Sequence, residues 1–379
     1  TTEIYTLSLH DALPIYIEAP PEIDRLGEFP HPRDTATLYG HASAETELAA
    51  GIASGRMHHA WLLAGPSGIG KATLAYRAAI NALAAPFERD PFGGTLVIDA
   101  ATGAARQVRA QSHPGLLVVR RNYNLKDKRF PTQISVDEVR RLRAFLGHRA
   151  GEGAWRVVIV DSADELNVNA ANALLKSLEE PPERTLFLIV TSEPGRLLAT
   201  IRSRCRRLDL AALSEADLAR AVRQALGSIG RDVPEDAAWT TLARLADGSV
   251  RRALSLEGEG GLALYDEVFA LVAGMPNVRW AAVHALADSM SAAAQETRFE
   301  LFFELLLDLV ARLVRAAATG QGDAQELQLA ARLGGEARLA SLASLWETVA
   351  REKAETVALN LDRKTLILRT VSRLETCVR

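Results

Sequence analysis

The segment AWLLAGPSGIGKATLA, residues 60–75, constrains this chain more than any other. It passes from a short apolar run through a glycine-rich turn into an alanine-rich helix start. Strand, turn and helix form the context in which a G-x-x-x-x-G-K pattern carries meaning. The glycines let successive backbone N–H groups converge on one hollow, and the helix N-terminus behind them adds partial positive charge. Gly65, Pro66, Ser67, Gly68, Ile69, Gly70, Lys71, Ala72 and Thr73 are the candidate cradle for phosphates, with Lys71 reaching the terminal ones. One position departs from the pattern. The residue after the lysine should be Ser or Thr, whose hydroxyl holds Mg²⁺, and here it is Ala72. Thr73 stands about 100° further round a helix of 3.6 residues per turn, so it does not replace that hydroxyl. The segment reads as a nucleotide cradle without its metal ligand.

At 379 residues the chain is long enough for two or three domains. Its net charge of −3 gives no whole-chain argument for nucleic-acid binding, so any contact with DNA would be local or shared with partners. Cys205 and Cys377 are the only cysteines, which provides neither a disulfide framework nor a zinc quartet and fits a reducing cytoplasm. No apolar run is long enough to span a bilayer, and no membrane partner is expected. Residues 1–15, TTEIYTLSLHDALPI, resemble the translation of a sequencing adapter. They are set aside as an artefact, and the natural start is expected to be lost or to lie near Tyr16.

Along the chain, residues 16–38 read as a lead-in segment. Apolar strands are expected at 60–64, 116–119, 157–160, 186–190 and 208–210, with helices over 43–52, 71–84, from Ser135, over 169–180 and over 197–202. Residues 85–115 carry Pro86, Pro91, Gly93, Gly94 and Pro114 and read as loop, and 120–130 as a polar loop or hairpin. Gly151–Gly153 marks the end of the helical unit that Ser135 opens. Strands alternating with helices predict an α/β domain over 16–212, a parallel sheet with helices on both faces. Beyond Leu213 the pattern turns helical. A small module of about three helices is expected over 213–260, with Ser214 capping the first, and an all-helical domain over 261–379.

Two further constellations bear on chemistry. VVIV at 157–160 ends in Asp161, and an acid at the end of a buried strand beside a phosphate loop positions Mg²⁺. The next residue, normally a Glu that orients the attacking water in such ATPases, is Ser162, so a second part of the hydrolytic machinery is missing. IRSRCRR at 201–207 gathers Arg202, Arg204, Arg206 and Arg207 at the edge of the expected sheet. Such a run is ordinarily a solvated face, but an arginine offered to a partner's γ-phosphate accelerates hydrolysis by about 10³–10⁵.

Four segments, GPSGIGKATLA (65–75), VVIVDSADELNVNAANALLKSLEEPP (157–182), FLIVTSEPGRLLATIRSRCRRL (187–208) and GSVRRALSL (248–256), resemble the delta-prime family of bacterial DNA polymerase III clamp-loader subunits. The resemblance implies an AAA+ P-loop domain, a helical lid over 213–260 and an oligomerising collar over 261–379. It implies that Arg204, in an SRC motif, acts in trans on ATP bound by the adjacent motor subunit. It places Thr191 at the sensor-1 position and Arg251 at the sensor-2 position. Implied partners are the gamma/tau motor subunits and the delta subunit, with the sliding clamp and primer–template DNA reached through the complex. Some relatives carry a four-cysteine zinc module after the first helix; 85–115 has no cysteine, so no metal is assigned. ATP or ADP binding is expected to be weak or vestigial. The expected role is a stator with little or no hydrolysis of its own. A self-sufficient motor of the gamma/tau type is the alternative, and Ala72 and Ser162 count against it.

Overall fold

The structure, a computed structural model, describes residues 20–147, 154–234, 236–258, 260–292, 295–359 and 361–379. The adapter-like residues 1–15 and the expected break at Gly151–Gly153 lie outside the described residues. The chain divides into two compact units, one of Thr1–Ala212 with Gln224–Arg231 and one of Leu213–Arg223 with Asp232–Arg379.

The first unit holds α1 (Ala42–Ala53), β1 (Ala60–Ala64), α2 (Lys71–Leu83), α3 (Gly103–Arg109), β2 (Leu116–Val119) and α4 (Val136–Gly147). It continues with β3 (Arg156–Val160), α5 (Val168–Glu179), β4 (Thr185–Thr191), α6 (Ala199–Arg202) and β5 (Arg206–Asp209). The strands form one five-stranded sheet in the order β2-β3-β4-β1-β5, every neighbouring pair parallel. The central strands are apolar, as strands of a sheet buried on both faces are, and β4 is buried along its whole length. The edge strand β5, expected as an apolar run at 208–210, instead spans Arg206–Asp209 and buries only Leu208.

Alternation along each strand sorts the side chains between the two faces. Leu62, Val158, Val160, Phe187 and Ile189 join Val139 and Leu142 of α4 and Ala170, Leu174 and Leu178 of α5 in one core. Leu197 and Ile201 belong to the same core, which anchors α6. On the opposite face α2 packs on β1, β3 and β4, with α1 and α3 against it. A fully buried aliphatic side chain contributes roughly 1.5–3 kcal/mol, and Val157, Val158, Ile159 and Val160 are all fully buried.

One further expectation needs correction, and one segment gains detail. Residues 85–115 are not all loop: Thr102 caps α3, its hydroxyl accepting from the Ala105 N–H, and Ala104, Ala105 and Val108 are buried. The lead-in segment is also tied down: Glu22 bridges antiparallel to Asn122, and Arg33 donates twice to the Glu22 carboxylate at 2.8 Å.

The second unit contains most of α7 (Glu215–Ser228), then α8 (Asp236–Ala246), α9 (Val250–Glu257), α10 (Gly261–Ala273) and α11 (Trp280–Ser289). It ends with α12 (Glu296–Thr319), α13 (Ala324–Arg332), α14 (Leu339–Leu359) and α15 (Arg363–Val378). The Asp217 N–H donates to Ser214 Oγ at 3.2 Å, the expected cap. α12 buries Phe299, Phe302, Phe303, Leu306, Leu309, Val310 and Leu313, a helical stripe packed on α10, α13 and α14. No helix among the described residues is long and apolar enough to cross a membrane.

Candidate functional site

The cradle lies between the end of β1 and the start of α2. Gly65 has φ +153°, and a Cβ there would stand 2.2 Å from the Leu210 carbonyl oxygen. That carbonyl follows β5, whose exit is fixed by the Leu210 N–H donating to Ala64 O at 2.8 Å. Only glycine fits where the sheet edge and the turn approach so closely. Gly70, at φ +104°, caps α2 in the left-handed region, so the loop needs a glycine on backbone grounds too. His41, just before α1, is buried with its Nε2 at 2.7 Å from the Ile69 carbonyl and pins the turn from behind. Nothing in the sequence pattern marked His41.

Lys71, 5% exposed, does not project outward. Its Nζ donates to the Gly65 carbonyl at 2.8 Å, to the Pro66 carbonyl, and to Ser192 Oγ at 3.1 Å. Burial lowers its pKa to about 8, outweighing the attraction of Asp161 and Asp164. Asp161, at the end of β3 and 8% exposed, is pushed the other way. Burial and repulsion from Asp24 raise its carboxyl to about 6 despite the nearby Arg120. Ser162 follows with φ 57° and ψ 56°, left-handed backbone that L-residues seldom adopt.

Thr191, fully buried at the end of β4, donates through Oγ1 to Asp164 Oδ1 at 2.7 Å, and the Ser192 N–H donates to the same oxygen at 3.1 Å. Lys71, Ser192, Asp164 and Thr191 therefore form one connected chain of hydrogen bonds at the ends of β1, β3 and β4. Of these, Asp164 and Ser192 were invisible as site residues in the sequence, because the turn after β3 decides where Asp164 points. Glu165 turns away and pairs with Arg121, Nε to Oε2 at 2.5 Å.

At the position after Lys71, Ala72 has no side-chain oxygen to offer a Mg²⁺ ion, and Thr73 is buried. Among the described residues no three His, Cys, Asp or Glu side chains come together as metal ligands.

The arginine run sits where α6 leads into β5, the edge strand. Ile201 is fully buried and Cys205 packs against the same core, so the backbone between them is held. Burial pushes the Cys205 thiol up to about 11, which makes it a packing residue, not a nucleophile. The arginines point outward. Arg204 donates to Glu179 Oε1 at 2.8 Å and to the Thr200 carbonyl at 3.0 Å. Arg206 pairs with Glu47 and lies 4.7 Å from the Trp61 ring centroid. Arg207 pairs with Asp209 at 2.8 Å. Arg251 is exposed on α9 of the helical unit.

A parallel sheet ordered β2-β3-β4-β1-β5, with a glycine cradle after β1, an acid after β3 and a polar residue ending β4, defines a P-loop domain of the AAA+ class. Residues 40–214 match the family described as DNA polymerase III, delta subunit. The chain is 32% identical over 317 residues to DNA polymerase III subunit delta' of Pseudomonas aeruginosa, covering 82% of this chain and 89% of that protein. It is 34% identical over 272 residues to the Escherichia coli delta' subunit, covering 70% of this chain and 74% of that one. DNA polymerase III subunit tau of Escherichia coli is 29% identical over 299 residues, 74% of this chain but only 44% of tau. The chain belongs to the delta-prime family of DNA polymerase III clamp-loader subunits. The resemblance carried by LLKSLEEPP and SRC is thereby borne out.

Proposed function

We propose that this subunit acts as a stator in a clamp loader, offering Arg204 in trans to ATP held by a neighbouring motor subunit while hydrolysing little or none itself. One observation carries the reading. The residue after the cradle lysine is Ala72, without a hydroxyl for Mg²⁺, while Arg204 stands 36% exposed on a loop anchored by Ile201 and Cys205. The chain keeps a donor for someone else's phosphate and lacks the oxygen and base to treat its own. On this reading binding of ATP or ADP by the cradle is weak or vestigial, because Ala72 gives no hydroxyl to the Mg²⁺ that accompanies the nucleotide.

Its partners on this reading are gamma/tau motor subunits and a delta subunit. Primer–template DNA and the sliding clamp are reached through the assembly. The lid, 213–260, and the collar, 261–379, would hold the P-loop domain in the ring. An Arg204 guanidinium has planar paired donors suited to phosphate oxygens, and it serves only as charge develops in the neighbour's site.

The test is ATP turnover of the reconstituted loader, stimulated by clamp and primed DNA, with wild type against Arg204→Ala. A fall of about tenfold or more with assembly intact is expected, against the roughly 10³–10⁵ that an arginine finger can contribute. Unchanged turnover would reduce the arginines to an interface charge patch. The isolated subunit should show no measurable turnover; hydrolysis by it alone would favour the motor reading.

A further inference from the structure

Resting on the reading of Arg204 as a finger, we infer that Glu179 is its positioning residue. It parks the guanidinium in the free subunit and sets how readily it passes to a neighbour. Glu179 is the last residue of α5, where the aligned peptide dipoles leave partial negative charge. Its carboxylate and that helix end together make a local trap for a cation. Arg204 occupies the trap through Nη2, at 2.8 Å, and its Nη1 is taken by the Thr200 carbonyl at 3.0 Å. Two donors that a phosphate would use are thus engaged within the subunit.

The backbone on either side cannot relieve this. Ile201 and Cys205 fix the loop in the core, and α5 is fixed by Ala170, Leu174 and Leu178. What remains free to change is the pair of side chains. Both are open to solvent, Arg204 at 36% and Glu179 at 43%, so a second molecule can reach them. An exposed carboxylate–guanidinium pair is weak. A polyphosphate bearing more negative charge outcompetes a single carboxylate, and the arginine transfers. Glu179 thus acts as a holding contact that keeps the finger from stray anions and from a badly aligned neighbour.

The experiment compares ATP turnover of the reconstituted loader, with and without clamp and primed DNA, for wild type, Glu179→Gln, Arg204→Ala and the double variant. Gln keeps the shape of the side chain and removes the charge. Unstimulated turnover should rise roughly two- to fivefold in Glu179→Gln, the range an exposed ion pair supports. The stimulated plateau and the subunit's melting temperature should stay unchanged, and the double variant should match Arg204→Ala alone. Glu179→Ala, which also removes the acceptor, should raise unstimulated turnover at least as far. If Arg204→Ala lowers turnover but neither Glu179 variant raises it, the parking role is wrong and the finger stands. If the Glu179 effect persists in the Arg204→Ala background, Glu179 acts by another route and the inference fails. If Arg204→Ala changes nothing, the finger reading falls first.

Discussion

Asp161 is held where its charge is least welcome. Its folded pKa of about 6 lies above the 3.8 of a solvated aspartate, with burial the larger cause and Asp24 the next. The sign follows from the direction. The folded state binds the proton more tightly, so this residue's contribution to stability falls as pH rises from about 4 to about 6, and the penalty is full at pH 7. Removing the charge should help. Asp161→Asn is expected to stabilise the subunit at pH 7 by on the order of 1–3 kcal/mol, with the gain shrinking toward pH 4. Urea unfolding at the two pH values measures it, and equal gains at both would show that charge is not the cause. The sequence marked Asp161 because a strand end is a local feature. It could not mark Asp164, Ser192 or Glu179, whose roles arise when the turn after β3, the end of β4 and the end of α5 meet residues far off in sequence.

At the scale of elements, short apolar strands and capped helices were legible because each is written in consecutive residues. β1 and β2 fall where their apolar runs predict, and α2 and α5 end within a residue of expectation. α3 was missed because its seven residues begin at Gly103 and carry small buried faces, so period and propensity were both faint. The contacts of the segment at 20–34 were illegible for a different reason: they come from charges brought together by folding. Asp24 accepts from His31 and Arg120, and Glu22 from Arg33 and Arg120. Burial alone would raise both carboxyls; those partners overcome it and hold each at about 2. Here the folded pKa is depressed, so the stabilisation is present above about pH 4 and lost as pH falls toward 2. The Asp24 side chain is 5% exposed, and the shift corresponds to roughly 2 kcal/mol. Asp24→Ala should cost about 2–3 kcal/mol, because it leaves Arg120 and His31 to share Glu22. Its acid limb of stability should also flatten relative to wild type. An unaltered midpoint in urea at pH 7 would show that the segment is not held by this cluster.

At the scale of the whole chain, the change of pattern beyond Leu213 separated the α/β part from the helical part but gave no hint of how the helices beyond Leu213 cohere. A buried charge network supplies the answer. Glu326 of α13, its side chain 4% exposed, accepts from Arg244 of α8 at 2.7 Å and from Arg312 of α12 at 2.9 Å. Asp308 of α12 accepts from Arg312 and from Arg252 of α9 at 2.5 Å. Arg244 and Arg312 also lie 5.8 and 5.9 Å from the centroid of Tyr265, on α10. Residues read from sequence as lid and as collar therefore share one set of ion pairs. Such networks are invisible to periodicity because arginines and acids on helices ordinarily face water. Glu326→Ala takes their common acceptor from Arg244, a third exposed, and from Arg312, which keeps Asp308, and it should destabilise the helical unit by about 1–3 kcal/mol. Hydrogen exchange distinguishes the consequences. If 213–260 and 261–379 hold together through this network, α8 and α12 lose protection along with α13, while β1, β3 and β4 keep theirs. Fraying confined to α13 would mean that lid and collar cohere by apolar packing alone, and that the shared ion pairs contribute little to joining them.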